Sequence, residues 1–321
     1  MGKASRSSFG DALAELGKEF PHIVALDADL SKSTMSLPFA KAFPERFFQM
    51  GIQEANMIGV ASGMAFSGKI PFLCSFACFL TGRFDVIRLS VGYSQANVRL
   101  VGTHVGVGIG EDGCSQMGLE DLACMRSLPQ VAVLQPGDDI ETREMMKYLV
   151  RHQGPAYIRL TRQELDDVNP QGYQFQFGKV SKIKDGGQAA IFATGGLLGP
   201  ALKAARELEK ENFSVAVINV HTIKPMDKES VLQWASKVPV LFTAEDHNVI
   251  GGLGSAVAEI LAEAEPKTGG GPLARLVRIG VQDVYGESGT PSALYEKHGF
   301  DVKGVAKTVK TTLLAHSNGR R

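Results

Sequence analysis

The sequence has no apolar run long enough to cross a bilayer, and its opening stretch, MGKASRSSFGDALAEL, lacks the apolar core of a signal peptide. Arg6 stands where an N-myristoylation signal wants a hydroxyl residue, so lipid attachment at Gly2 is not expected. An excess of either charge is also missing. The 34 basic and 34 acidic residues cancel, which points away from nucleic acid and from an anionic membrane. Cysteine is scarce. Cys74, Cys78, Cys114 and Cys124 show neither zinc-type pairing nor a secretory context, and read as reduced thiols in a cytoplasmic protein. What remains is a chain of 321 residues, 44% hydrophobic and 21% charged, ordinary for a soluble globular protein and long enough for two cores.

Apolar residues at Phe9, Leu13, Leu16 and Phe20 have helical spacing. Short buried strands are expected at His22–Asp27, Phe47–Met50, Lys69–Ser75, Asn97–Thr103, Val131–Gln135 and Ala156–Leu160. Helices are expected between them at Phe84–Ser94, Leu119–Ser127 and Asp138–Arg151. Such alternation predicts an α/β fold with a largely parallel sheet covered on both faces. Glu164–Gly178 carries few aliphatic residues and breaks the rhythm, so it reads as a linker. The alternation then restarts with strands at Ala189–Thr194, Ser214–Asn219, Val238–Ala244 and Ala274–Ile279. Helices are placed at Pro200–Glu211, after Lys228, and from the glycine turn at Gly251 to Glu265, with a frayed tail at Ser317–Arg321. The expected division is residues 1–163, a linker at 164–180, and residues 181–321, both domains doubly wound.

Gln49–Ala65 puts one carboxylate, Glu54, at the head of a segment otherwise nearly all apolar or small. The pattern reads as a helix buried on most sides, with Ala55, Gly59 and Ser62 allowing close approach of another backbone. A carboxylate there is stabilised by the helix dipole or shares a proton with a ligand. The stretch His104–Gly113 contains Gly108, Gly110 and Gly113 in the order G-x-G-x-x-G. A dinucleotide turn would need an acidic residue at the end of the next strand. That strand ends in Gln135, Pro136 and Gly137, and Glu111 and Asp112 would repel a pyrophosphate.

Four stretches, GIQEANMIGVASGMA, SFACFLTGRFDVIR, THVGVGIGEDGCSQMGLEDLACMRSLP and IRLTRQ, resemble in order and spacing the pyrimidine-binding domain of the transketolase family. EDHNVIGGLGSAVAEIL and YGESGTPSALYEKHGF extend the resemblance into that family's C-terminal domain. The GDG motif of the family's diphosphate-binding domain, followed further on by a metal-chelating Asn, does not occur. The resemblance therefore implies the C-terminal subunit of a split, two-chain transketolase. Its partner would be an N-terminal subunit carrying GDG and the Asn, in a complex expected as α2β2. Thiamine diphosphate would be the cofactor, with Mg2+ or Ca2+ held mainly by the partner, and sugar phosphates the substrates.

The resemblance also assigns roles. Thiamine diphosphate must lose a proton from its thiazolium carbon, and its own aminopyrimidine serves as base once a carboxylate favours the imino tautomer. Glu54 takes that position, Phe76 the ring-stacking position with Phe79 beside it, and Asp29 an acidic position near the thiazolium end. A third aromatic present in some relatives is replaced by Gly82. Arg6, Ser33, His104 and Arg162 fall where the family binds a sugar phosphate and neighbouring hydroxyls, and Arg suits phosphate through its paired donors. Asp112 falls at a contact to a substrate hydroxyl; His104 is the main imidazole of this chain, because Gln116 stands where many relatives have His. The Gly251 turn reads as structural. Two other readings remain: the β subunit of a 2-oxo acid dehydrogenase, which has no phosphate for the arginines to hold, and a non-catalytic module, for which Glu54 would be idle.

Overall fold

Residues 2–264 and 273–318 are described by the computed structural model. The first half supplies β1 (Ile23–Asp27), β2 (Phe47–Gln49), β3 (Ile70–Phe76), β4 (Arg99–Thr103), β5 (Ala132–Leu134) and β6 (Ala156–Arg159). The second supplies β7 (Ser181–Lys184), β8 (Ala189–Ala193), β9 (Val215–Asn219), β10 (Thr222–Lys224), β11 (Val240–Asn248) and β12 (Arg275–Val281). They form a seven-stranded sheet ordered β10-β5-β6-β4-β3-β1-β2 and a five-stranded sheet ordered β12-β11-β8-β9-β7. Neighbours are parallel except β10 on β5 and β7 on β9. The chain is thus α/β with two parallel-dominated sheets.

Register explains why short apolar runs suffice. Leu26 lies opposite Leu73, Leu73 opposite Leu100, and Leu100 opposite Tyr157, so one row enters the same core. Alternate positions on the same strands, Ala25, Phe72, Val101 and Ile158, pack on the other face with Phe9, Leu13, Met145 and Leu149. Side chains alternate across a strand, so one parallel sheet uses both faces. Burying each Leu or Phe contributes about 1.5–3 kcal/mol. The helix Asp139–Arg151 starts where Asp138 accepts the Glu141 N–H at 2.8 Å, a side-chain N-cap.

Several expectations are corrected. The first helix runs Ser5–Glu19, so it already contains Arg6. Phe84–Ser94 is a short helix, Phe84–Val86, continued by π-helical turns over Ile87–Tyr93. Between β6 and β7 the chain has no helix or strand, as expected of a linker, yet it is tied down: Val168 and Asn169 N–H groups donate to Asp138 Oδ2 at 3.0 and 2.6 Å. The helix after the Gly251 turn ends at Ala262, and its expected end, Glu265, lies outside the described residues. Of the expected tail, Ser317 and Asn318 close a helix beginning at Val302, and the rest lies outside the described residues. The short strand β10 had no hydrophobic run to announce it. It is held by pairing to β5 rather than by its own propensity.

The helix Glu54–Phe66 is not buried on most sides. Met57, Ile58 and Ala61 enter the core, while Asn56, Gly59, Gly63 and Phe66 form an exposed face. At Gly59 and Gly63 an added Cβ would meet nothing within 4 Å. An apolar helix that leaves its small residues open within one chain has a surface suited to close approach by another. Beside it, Ile52, Leu89 and Tyr93 are also exposed.

Candidate active site

Parallel sheets collect functional groups beyond the carboxyl ends of their strands. Here β1 leads to Asp29 and Ser33, β3 ends in Phe76, β4 leads to His104, and β6 leads to Arg162. Arg6 arrives from the first turn of the opening helix. Adjacent strand ends therefore bring most of the sequence-predicted residues together.

Three of them touch directly. Arg6 Nη1 donates to the Ser33 carbonyl oxygen at 2.7 Å and lies 3.0 Å from His104 Nε2. A guanidinium only donates, so Nε2 accepts and the His104 proton sits on Nδ1. Nδ1 then donates to Thr103 Oγ1 at 2.9 Å, and the Thr103 hydroxyl reaches the Ser75 carbonyl at 3.4 Å. Burial, with Arg6 and Arg162 nearby, holds the His104 pKa down at about 3. This imidazole is neutral near pH 7, a hydrogen-bonding group rather than a cation. Its backbone has a φ of 58°, a left-handed conformation fixed by the turn out of β4.

Glu54 opens its helix at 5% exposure, and Ser75 Oγ donates to its Oε1 at 3.1 Å. Among the described residues no hydrogen bond engages Oε2. One residue along, Phe76 stacks on His104 with centroids 3.6 Å apart and on Phe79 at 5.3 Å, the latter with only 14° between ring planes. A buried carboxylate with a spare oxygen, next to parallel aromatic faces, suits a flat heterocycle with a protonated ring nitrogen. These residues fit the pyrimidine of thiamine diphosphate.

Arg162 donates to the Ile109 carbonyl and lies 3.5 Å from Glu111 Oε2 and 3.8 Å from Asp112 Oδ2. Burial and the neighbouring Arg162 lower the Arg6 pKa, with Asp112 acting in the opposite direction. An anion beside the two guanidiniums would relieve the strain on the Arg6 charge. Arg6 and Arg162 also line a partly open cleft of about 680 Å³ between the halves, with Gly195, Gly196 and Tyr295 on its far wall.

Asp29 is not brought into this group: it is exposed, with φ 66°, and its N–H donates to Gln49 Oε1 at 2.6 Å. The residue sequence reasoning missed beside it is Asp27. Its buried carboxylate accepts from Leu30 N–H at 2.6 Å, Thr34 Oγ1 at 2.6 Å and Ser36 Oγ at 2.9 Å, shaping the loop that presents Ser33. Ser75 and Thr103 were also missed. Thr103 ends β4 and Ser75 stands one residue before the end of β3, polar residues at the close of buried strands, which is a legible signal. The glycine-rich loop does not open a helix; Val107–Ile109 is one 3-10 turn and the next α-helix is Asp121–Ser127. A dinucleotide turn is therefore not built. Among the described residues no three His, Cys, Asp or Glu side chains gather around a metal position.

Residues 2–167 match the family described as transketolase, pyrimidine binding domain, and residues 178–305 match transketolase, C-terminal domain. The chain is 40% identical to a 6-deoxy-6-sulfo-D-fructose transketolase subunit of Clostridium sp., covering 94% of this chain and 92% of that protein. Its identity to rat (Rattus norvegicus) transketolase is 38%, over 96% of this chain but only 48% of the rat protein. A solved structure described as a split gene transketolase, inactive beta4 tetramer, superimposes with a TM-score of 0.88 at 44% identity, covering 98% of this chain and 99% of that one.

Proposed function

Because the chain belongs to the transketolase family, as both halves of its sequence establish, we propose that it is one subunit of a split, thiamine diphosphate-dependent transketolase. In this reading it transfers a two-carbon ketol unit between sugar phosphates, together with a partner subunit that carries the diphosphate- and metal-binding domain. The observation that carries the reading is the contact of Arg6 with both Ser33 and His104, Arg162 nearby, directly beside Phe76 and the Glu54–Ser75 pair. A short 2-oxo acid has no phosphate for these guanidiniums to hold.

When bound, thiamine diphosphate supplies the carbanion chemistry of carbon–carbon cleavage. The residues of this chain do the rest. Ser75 holds Glu54 Oε1 and fixes the carboxylate plane, so that Oε2 would be the atom to share a proton with the pyrimidine nitrogen. Phe76, stacked on Phe79 and on His104, would pack against the pyrimidine with Phe79 beside it. Arg6 and Arg162 bind the terminal phosphate, and Asp112 and His104 meet sugar hydroxyls. Asp29, exposed on the loop after β1, would act near the thiazolium end only through the family resemblance, since it stands apart from the other site residues.

The remaining parts of the proposal concern assembly. The open Gly59–Gly63 face is where another subunit would close over the pyrimidine site, in an α2β2 complex in the cytoplasm, with Mg2+ or Ca2+ held mainly by the partner. The relative described as an inactive beta4 tetramer accords with a chain that needs a partner for turnover. The test is to titrate thiamine diphosphate and Mg2+ into this chain alone, into the partner alone, and into the mixture, following heat of binding and ketol transfer. Binding and transfer should appear only on mixing; full activity from this chain alone would sink the two-subunit reading.

A further inference from the structure

The loop carrying the candidate sugar contacts, His104 to Asp112, is seated on the second domain. Its glycines describe the seat. An added Cβ at Gly106 (φ 76°) would come within 2.2 Å of Asp246 Cγ, and one at Gly108 within 2.2 Å of Gln163 Nε2. Asp246, near the end of β11, accepts the Val107 N–H at 2.8 Å with Oδ1 and the Gly108 N–H at 3.1 Å with Oδ2. Tyr295 donates its hydroxyl hydrogen to the same Oδ2 at 3.0 Å, and Gln163 Nε2 donates to the Tyr295 oxygen at 2.7 Å. Gln163 directly follows Arg162.

The far end of the loop is pinned to the same strand. Arg159 Nη2 donates to the carbonyls of Gly118 and Asp246, each at 2.9 Å, and the Asn248 N–H donates to the Leu119 carbonyl at 3.0 Å. A charged acceptor facing two adjacent amides is a stronger tie than a neutral one. Nothing else among the described residues satisfies the Val107 and Gly108 N–H groups.

We propose that Asp246, oriented by Tyr295, is a positioning residue for the reaction: the second domain sets the conformation of the substrate loop, and through it the placement of His104 and Asp112. This rests on the functional reading above, since the loop must be the one that meets the sugar. The C-terminal domain then contributes to substrate affinity without touching substrate.

The test combines amide hydrogen exchange on the chain with kinetics of the complex reconstituted with the partner subunit. Asp246→Asn replaces one acceptor with a donor facing an N–H, and Tyr295→Phe removes only the orienting hydroxyl. In both, exchange of the Val107 and Gly108 amides should accelerate, by about tenfold or more for Asp246→Asn, with β8 and β9 unchanged. The KM for a phosphorylated acceptor should rise by about tenfold while kcat stays within about twofold. A general loss of packing would instead speed exchange throughout the second sheet. If Asp246→Asn does not fold, Tyr295→Phe carries the same pattern at smaller size. Unchanged loop exchange, or faster exchange with an unchanged KM, overturns the inference. A wild-type complex with no ketol transfer overturns the functional reading and this inference's kinetic claim together, whereas normal transfer with unaltered KM in both variants overturns this inference alone.

Discussion

The strand ends of the two sheets carry charged or polar groups at the same architectural position and treat them oppositely. At the ends of β3 and β4, Glu54, His104 and Arg6 are linked through Ser75 and Thr103 but keep spare valence: Glu54 has a free oxygen, and two arginines share a neighbourhood. At the end of β11, Glu245, Asp246 and His247 are all buried; both carboxylates have every oxygen hydrogen-bonded, and among the described residues only His247 Nε2 of this trio lacks a partner. Glu245 accepts the Leu253 and Gly254 N–H groups at 2.6 and 2.7 Å, yet burial still raises its pKa to about 7. Alongside, Asp121 and Arg159 pair at 2.7 Å with neither exposed. Burial works against the Asp121 anion, but Arg159 and His247 outweigh it and hold the carboxyl below its ordinary range. Buried charge at the β11 end is thus spent on holding the fold, whereas the candidate site keeps a carboxylate oxygen and two arginines in reach of a ligand.

The comparison is broken most sharply by Glu54→Gln. If its free oxygen does chemistry, ketol transfer by the reconstituted complex should fall by about 10²–10⁴-fold with circular dichroism of the chain unchanged. Wild-type turnover would remove Glu54 from the mechanism. At the saturated end the loss should instead be stability. Asp121→Asn leaves the Arg159 guanidinium buried without its partner and should cost about 3–5 kcal/mol in urea unfolding; a cost below 1 kcal/mol would mean the pair is not desolvated as described.

Arg162→Ala should raise the KM for a phosphorylated acceptor by about 10–100-fold, the value of a hydrogen bond to a charged group, and spare an unphosphorylated one. Equal effects on both sugars would show that Arg162 does not read the phosphate. Smallest per pH unit is an effect on protons. Folded His104 titrates at about 3 against 6.5 when solvated. Between those values the unfolded chain binds the extra proton, so stability is fully present above 6.5 and falls as the solution is acidified through that window. In His104→Gln, urea midpoints followed across that pH range should fall less steeply, by up to one proton. An unchanged slope would place His104 in a solvated setting.

The site around β1, β3 and β4 was legible in the sequence because its residues sit at the ends of short, clearly apolar strands. Glu54 stood out by contrast with Met57, Ile58 and Ala61, and its helix starts where expected. Burial of that helix was misread, since composition cannot distinguish a face closed by the same chain from one left open, as at Gly59 and Gly63. Asp246 was hidden for a different reason. Its partners, Val107, Gly108 and Tyr295, are distant in sequence, and backbone N–H groups leave no residue signature. The sign available was three ionisable residues, Glu245 to His247, closing an otherwise apolar strand. The glycines of His104–Gly113 pointed falsely toward a nucleotide turn, because Gly106 and Gly108 serve close packing instead.

The edge strand β10 gives the chain two different seams. By covalent order the first half ends with the coil after β6, and everything past it belongs to the second. By backbone hydrogen bonding the first sheet is complete only when Thr222–Lys224, from deep in the second half, lies against β5. Cutting at the covalent seam would strip β5 of its outer neighbour and expose a raw edge ready to capture a foreign strand. The second half is therefore a chaperone to the first, withholding from solvent an edge that would otherwise be presented for aggregation.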